Sequence, residues 1–308
     1  MKPRITSLVA GSLLAFTLFG AATAGPLEDG KAAYERGDYT AAMRLLRLPA
    51  ANGSPDAQRD IGLMYGQGQG VQQDFAQALI WFRKAADQGD ALAQYFLGVM
   101  YRDGNGVPQD KPQALAWYRK SADQGNALAQ FDIGSMYRYG EGVPKDAAQA
   151  AAWYRKAADQ GYAFAQSNLG VMYGQGDGVP KDDAQALIWF RRAADQGEAV
   201  ALFNLGLAYD KGDGVAKDSA QAAVWYRKAA DKGNVFAQIN LGSMYTRGEG
   251  VPKDYVLAYM WADLAASHAQ DDETREVANK NRDNLVRGMS PKQIAAAQRM
   301  AHGWKPAN

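Results

Sequence analysis

Residues able to carry out acid–base, nucleophilic or metal chemistry are scarce in this chain of 308 residues. It contains no cysteine, and therefore has no thiolate nucleophile, disulfide or thiolate metal site. Its two histidines, His268 and His302, lie 34 positions apart, whereas a helical zinc-protease motif places two histidines four apart. No serine has a lysine three positions later, which is the spacing found in penicillin-recognising enzymes. We therefore expect no catalytic residue, no metal site and no cofactor.

Two charged or glycine-rich patterns have a structural explanation that we favour. The segment from Gly66 to Gly70 resembles a phosphate-binding loop, but it follows a predicted helix rather than a strand. Basic pairs recur at Arg83-Lys84, Arg119-Lys120, Arg155-Lys156, Arg191-Arg192 and Arg227-Lys228. They either form a ridge for an anionic lipid or polysaccharide or complement the negative ends of helices. Because 34 Lys and Arg balance 33 Asp and Glu, we expect no nucleic-acid partner.

A period of 36 residues dominates the chain and indicates a repeat protein. Four residue types keep this spacing in register over six copies: Trp81 to Trp261, Gly62 to Gly242, Tyr65 to Tyr245 and Asp74 to Asp254. There is no insertion between the copies.

Each copy has the pattern of two helices joined by a loop. Ala93, Leu97 and Tyr101 are spaced as one face of a first helix. After a glycine-rich loop, Asp110 is a predicted N-cap with Gln113 as its capping-box partner. The second helix buries a face that includes Trp117 and Tyr118 and ends at a glycine. Glycine in the middle of the first helix, as at Gly98, costs about 1 kcal/mol, which predicts a close crossing of the two helices.

The unit A-x-A-Q-x-x-L-G-x-M-Y-x-x-G-x-G-V-P-x-D resembles the Sel1-like repeat, a relative of the tetratricopeptide repeat. The resemblance implies an all-α fold, a right-handed superhelical solenoid of helical hairpins. We expect a tetratricopeptide-like half repeat over 25–53, six 36-residue repeats over 54–270 and a helical cap over 271–308.

Residues 1–24 have the pattern of a signal peptide, with a basic start at Lys2 and Arg4 and a small-residue cleavage site at Ala22-Thr23-Ala24. The alternative is a retained membrane anchor, because 5–24 carries no charge. We favour cleavage, which predicts a periplasmic or secreted protein without stable membrane insertion.

Comparison of the copies identifies a stripe on the first helix whose residues vary between repeats. Its columns pass through Leu92, Tyr95, Val99 and Arg102 in the copy that spans 91–126, and a further column that begins at Phe96 runs beside them. By the tetratricopeptide resemblance, this stripe lines a concave groove. The predicted protein-binding residues are Tyr95, Phe131, Phe203, Ile239, Arg102, Arg138, Asn168, Asn204 and Asn240. The alternative is that the aromatic residues simply pack between repeats.

These patterns predict a monomeric, non-catalytic scaffold that binds a peptide or protein in this groove. A regulatory protein that binds and inhibits the periplasmic domain of a sensor kinase would have the same sequence pattern as such a scaffold. The alternative of another class is a cell-envelope enzyme or ligand-binding factor for β-lactams, as linked to some cysteine-rich Sel1-like proteins. The absence of cysteine argues against this alternative.

Overall fold

The structure, a computed structural model, describes residues 25–307. Within that range it contains helices and no strand, which confirms the predicted all-α class. The helices are α1 (Pro26–Glu35), α2 (Tyr39–Ala51), α3 (Pro55–Gln67), α4 (Phe75–Asp87), α5 (Ala91–Asp103), α6 (Lys111–Asp123), α7 (Ala127–Tyr139), α8 (Ala147–Asp159), α9 (Ala163–Gln175), α10 (Asp183–Asp195), α11 (Ala199–Lys211), α12 (Ser219–Asp231), α13 (Val235–Arg247), α14 (Tyr255–His268), α15 (Asp272–Val286) and α16 (Pro291–Gly303).

These helices form two compact units, one ending at Lys145 and the other beginning at Asp146. The first holds α1 to α7 and the second α8 to α16. Within the units, successive helices from α1 to α7 and from α8 to α15 pack against one another, and α16 packs against α14, so each unit is built from stacked helical hairpins. Because a single hairpin cannot bury its own apolar face, the stack supplies the hydrophobic core. The predicted signal peptide lies outside the described residues.

The second helix of each repeat begins at an aspartate, as predicted. In α6, the Asp110 carboxylate accepts a hydrogen bond of 2.8 Å from the backbone N–H of Gln113. The predicted capping-box role of the Gln113 side chain is wrong, because the Asp110 N–H donates to the Tyr101 carbonyl oxygen, 2.8 Å away. A complete capping box is present in α16, between Ser290 and Gln293.

The predicted close crossing within each repeat is confirmed at Gly98. A Cβ atom there would lie 2.4 Å from the Tyr118 ring, so only glycine lets α5 and α6 approach this closely. The second-helix face predicted to be buried is also confirmed, since Trp117 and Tyr118 are both buried. The loop between the helices needs glycine too, because Gly106 has a φ of +72° and its Cβ would lie 2.6 Å from the Phe75 carbonyl oxygen.

The recurring basic pairs are part of the packing between repeats. Arg83 donates a 2.8 Å hydrogen bond to the Tyr101 hydroxyl of the next repeat, and its guanidinium lies 5.5 Å from the Trp117 ring centre. The Lys120 ammonium covers the same ring at 4.1 Å. Arg155 and Arg227 repeat the arrangement with Tyr173 and Tyr245. These contacts join successive repeats, which favours a structural explanation over an anion-binding ridge.

The last two helices pack against α14, the final helix of the repeats. The Trp304 ring meets the Trp261 ring edge to face at 6.5 Å, and Ala297 of α16 and Leu285 of α15 are buried. At the other end, α1 and α2 form a hairpin of their own. Among residues 25–307, none of the helices combines the length and apolar character that crossing a bilayer requires.

Candidate binding surface

The nine predicted binding residues lie on the first helices of five repeats. In the first unit, α5 carries Tyr95 and Arg102, and α7 carries Phe131 and Arg138. In the second unit they lie on three helices: Asn168 on α9, Phe203 and Asn204 on α11, Ile239 and Asn240 on α13. Eight of the nine are half-buried, and Tyr95 is buried.

Tyr95 is a packing residue rather than an exposed anchor. Only 8% of its surface is exposed, and its ring contacts the Tyr118 ring at 5.7 Å and the Phe96 ring at 5.4 Å. Both of these rings belong to the same repeat as Tyr95, so the contacts seen pack this residue inside its own hairpin.

Beside Tyr95 lies a charged pair that the sequence analysis did not single out. The Arg102 guanidinium lies 3.3 Å from the Asp132 carboxylate and 2.8 Å from the Asp103 carboxylate. Burial raises the pKa of Asp132 to about 6, and Arg102 together with the Tyr95 and Tyr118 hydroxyls opposes that shift. The Asp132 side chain is 15% exposed, so part of its carboxylate reaches the surface. In the next three repeats Asn168, Asn204 and Asn240 replace Asp132.

A second charged cluster lies on α3, at the position equivalent to Tyr95. The Arg59 guanidinium is 2.9 Å from the carboxylates of both Asp56 and Asp90, and 3.0 Å from that of Asp60. Lys31 contacts Asp56 at 2.7 Å. Burial raises the pKa of Asp60 despite the opposing charge of Arg59. The ionic contacts of Arg59 fasten α3 to the start of α5.

In the second unit, polar and aromatic side chains alternate on neighbouring helices. The Asn168 amide donates to the Phe164 carbonyl oxygen at 2.8 Å. The Phe203 ring lies 5.8 Å from the Tyr226 ring and 6.1 Å from the Phe236 ring. Burial raises the pKa of Tyr226, and the Asn240 amide opposes that shift. Ile239 lines a cleft beside α15.

The most exposed large apolar residues of α9, α11 and α13 were not among the predicted nine. Phe164, Val200 and Phe236 are 51%, 46% and 56% exposed, and each is the second residue of its helix, α9, α11 or α13. We call these three residues the apolar row. Their column was recognised in the sequence as variable between repeats, and that variability was the available signal. The exposed fraction of each position could not be predicted from the sequence, because it depends on how far neighbouring helices cover that position.

Over residues 25–307, no group of three or more His, Asp or Glu side chains is arranged to hold a metal ion. The groups that this surface offers to a ligand are exposed apolar side chains, asparagine amides and ion pairs.

The sequence pattern of the Sel1 repeat matches residues 55–90, 91–126, 127–162, 163–198, 199–234 and 235–269. Together these matches cover more than half of the chain. The chain belongs to the Sel1 repeat family. Each matched segment holds two consecutive helices, from α3 and α4 to α13 and α14.

Two solved Sel1-type structures are similar to this protein. A Sel1 repeat protein from Oxalobacter formigenes is 34% identical, covers 81% of this chain and 99% of its own, and superposes with a TM-score of 0.73. A protective antigen present in uropathogenic Escherichia coli strains, which displays the same repeat fold, is 28% identical, covers 91% of this chain and 83% of its own, and has a TM-score of 0.50. No curated protein matches the chain significantly. Solenoids of Sel1 repeats are typical of protein–protein interaction scaffolds.

Proposed function

We propose that this Sel1 repeat protein is a non-catalytic scaffold that binds a peptide or protein along the first helices of its repeats. The apolar row carries the proposal. Three large apolar side chains, each about half exposed, recur at one helical position in the second unit. Exposed apolar groups at regular spacing are typical of protein interfaces, and buried aromatic anchors supply most of the binding energy there.

The surroundings of the row suit an extended chain. Asn168, Asn204 and Asn240 each lie four residues after a row residue, one helical turn along the same face. Amide side chains can donate to and accept from a peptide backbone, whereas the apolar row would hold its side chains. Phe203 and Ile239, from the predicted nine, lie one residue before two of these asparagines.

The test compares two sets of alanine substitutions that remove similar apolar exposure. The first set is Phe164→Ala, Val200→Ala and Phe236→Ala. The control set, Ile80→Ala, Ile188→Ala and Val224→Ala, removes residues of the second helices that are 45%, 42% and 47% exposed. Each variant, lacking residues 1–24, is used to capture proteins from envelope extract and culture medium, followed by quantitative mass spectrometry.

We expect the row variant to capture at least tenfold less of a partner protein that the control variant still captures. A tenfold loss of affinity corresponds to about 1.4 kcal/mol of binding free energy. Equal capture by the row variant and the unsubstituted protein would contradict the proposal. Circular dichroism of both variants checks that helicity is unchanged.

We also propose that the protein is exported, that residues 1–24 are removed and that the mature chain acts as a monomer in the periplasm or outside the cell. The support is the basic start, the uncharged stretch and the small-residue cleavage pattern of the sequence. Cell fractionation with N-terminal sequencing is expected to give a mature chain that starts at Gly25. An intact N-terminus in the membrane fraction would instead show a retained anchor.

The absence of catalysis is likewise a proposal, supported by the lack of cysteine and of a Ser-x-x-Lys motif. A chromogenic β-lactam is expected to be hydrolysed no faster than in buffer, and turnover proportional to protein concentration would favour the envelope-enzyme alternative.

A further inference from the structure

The last repeat contains a cavity where other repeats hold an aromatic ring. In four repeats a Phe or Tyr of the second helix lies against the glycine of the first helix, so close that a Cβ on the glycine would be 2.4 to 2.7 Å from the ring. These pairs are Gly62 with Phe82, Gly98 with Tyr118, Gly170 with Phe190 and Gly206 with Tyr226. In the last repeat the glycine is Gly242, and the ring position is occupied by Ala262.

The missing ring leaves open volume. The cavity between α13, α14 and α15 measures about 290 Å³ and is lined by Gly242, Ala258 and Ala262 among others. At the equivalent place in the first repeat, where Phe82 supplies the ring beside Ala78, the open volume is about 20 Å³. Phe75, Ala78 and Phe82 at the first site correspond to Tyr255, Ala258 and Ala262 at the second. The ring lost at Ala262 therefore contributes to the larger volume, and the remaining wall differs because α15 stands where α5 stands at the first site.

The lining of the cavity favours a neutral aromatic ligand. Gly242 allows a flat ring to lie directly on the α13 backbone, as Gly98 allows for Tyr118. Tyr255 and Leu285 add apolar walls, and Asn281 and Asn284 of α15 add amide groups able to bond a ring substituent. Arg247, also in the lining, is paired with Glu249 at 2.8 Å, so its charge is balanced. An apolar cavity of about 150 Å³ is enough to bind benzene.

We propose that this cavity, the Ala262 cavity, binds a single phenyl or 4-hydroxyphenyl ring. The ring takes the place that a Phe or Tyr side chain of the protein occupies in the other repeats. A side-chain amide of α15 accepts a hydrogen bond from a para-hydroxyl group through its oxygen or donates one to it through its NH₂ group. The cavity shares Ile239 with the proposed binding surface but none of the three residues of the apolar row, so failure of p-cresol binding would leave the proposed scaffold function untouched.

The test uses p-cresol, the side chain of tyrosine as a free molecule, in a titration of the isotope-labelled full mature chain followed by NMR. We expect saturable shifts of the amide signals of Gly242 and Gly288, which line the cavity. Ala262→Phe restores the ring of the other repeats and is expected to weaken p-cresol binding at least tenfold. Ala152→Phe places the same ring at an exposed position of α8 and is expected to bind p-cresol like the unsubstituted protein.

Two results would overturn the proposal. They are the absence of saturable shifts in the unsubstituted protein and undiminished binding to Ala262→Phe. Should Ala262→Phe fail to fold, intermolecular NOEs from p-cresol to the Ala258 and Ala262 methyl groups decide the question in the unsubstituted chain. Titration with N-acetyl-tyrosine amide distinguishes a free small molecule from the tyrosine side chain of a peptide as the source of the ring. If the ring comes from a peptide, this compound should bind at least as well as p-cresol.

Discussion

Glycine residues within the helices have two different roles, set by what a Cβ atom would meet. At Gly98 in α5 it would lie 2.4 Å from the Tyr118 ring, whereas at Gly174 in α9 the nearest atom is the Ala186 methyl group at 3.7 Å. The first distance is impossible without movement of the ring, and the second is an ordinary contact. Gly98 is therefore required by packing, and Gly174 is not.

Alanine substitution should separate these two roles. Gly98→Ala is expected to destabilise the protein by about 1–3 kcal/mol through overpacking. Gly174→Ala should stabilise it by up to about 1 kcal/mol, because alanine is the better helix former. Urea unfolding followed by circular dichroism measures both, and a Gly98→Ala variant as stable as the unsubstituted protein, or more stable, would contradict the packing role of Gly98.

Helix pairs within each unit are joined by arginine and tryptophan side chains from successive repeats. Arg155 of α8 donates to the Tyr173 hydroxyl of α9, and its guanidinium lies 5.2 Å from the Trp189 ring of α10. Arg192 approaches the same ring at 4.6 Å. One arginine thus links three helices by a hydrogen bond and a cation–π contact, a combination that lysine cannot reproduce.

Loss of this link should be measurable as loss of stability. Arg155→Ala is expected to lower the free energy of unfolding by about 1–2 kcal/mol, and Arg155→Lys by part of that amount, because its ammonium cannot stack flat. The control is Arg247→Ala, since the Arg247 side chain is 55% exposed and pairs with the similarly exposed side chain of Glu249; a change within about 0.5 kcal/mol is expected there. Thermal and urea unfolding provide the measurement, and equal effects of Arg155→Ala and Arg247→Ala would contradict the packing role.

For the molecule as a whole, the last repeat must end against something other than another repeat. Helices α15 and α16 serve this purpose by packing on α14, and Trp304 contacts Trp261, which is 1% exposed. A stack of repeats requires such a terminal segment, because the outer face of the last hairpin is otherwise apolar.

Truncation after Gln270 is therefore expected to lower the melting temperature and to expose apolar surface. Binding of the dye ANS and light scattering report the exposure and any self-association that follows. Truncation after Lys305 keeps Trp304 in place and serves as the control. A chain ending at Gln270 that melts like the control would show that α15 and α16 do not stabilise the repeats.

Much of the fold could be predicted because the same residue type recurs wherever the repeats share a physical constraint. Glycine at Gly98 and its equivalents indicated a close crossing, and aspartate before each second helix indicated an N-cap, and both are present. The capping-box role of Gln113 was not predictable in the same way. It depended on whether the Asp110 N–H already had an acceptor, and that acceptor, the Tyr101 carbonyl, belongs to the preceding helix.

The sequence alone determined the period, the hairpin and the stripe of variable residues, since these follow from spacing along one helix. The tertiary structure decided which members of the stripe meet solvent. Tyr95 is covered by Tyr118 and Phe96, whereas Phe164 and Phe236 are more than half exposed. It also showed that Ala262, which the sequence pattern did not single out, lines a cavity. Exposure and open volume depend on what neighbouring helices bring to a position, and that information is not local in the chain.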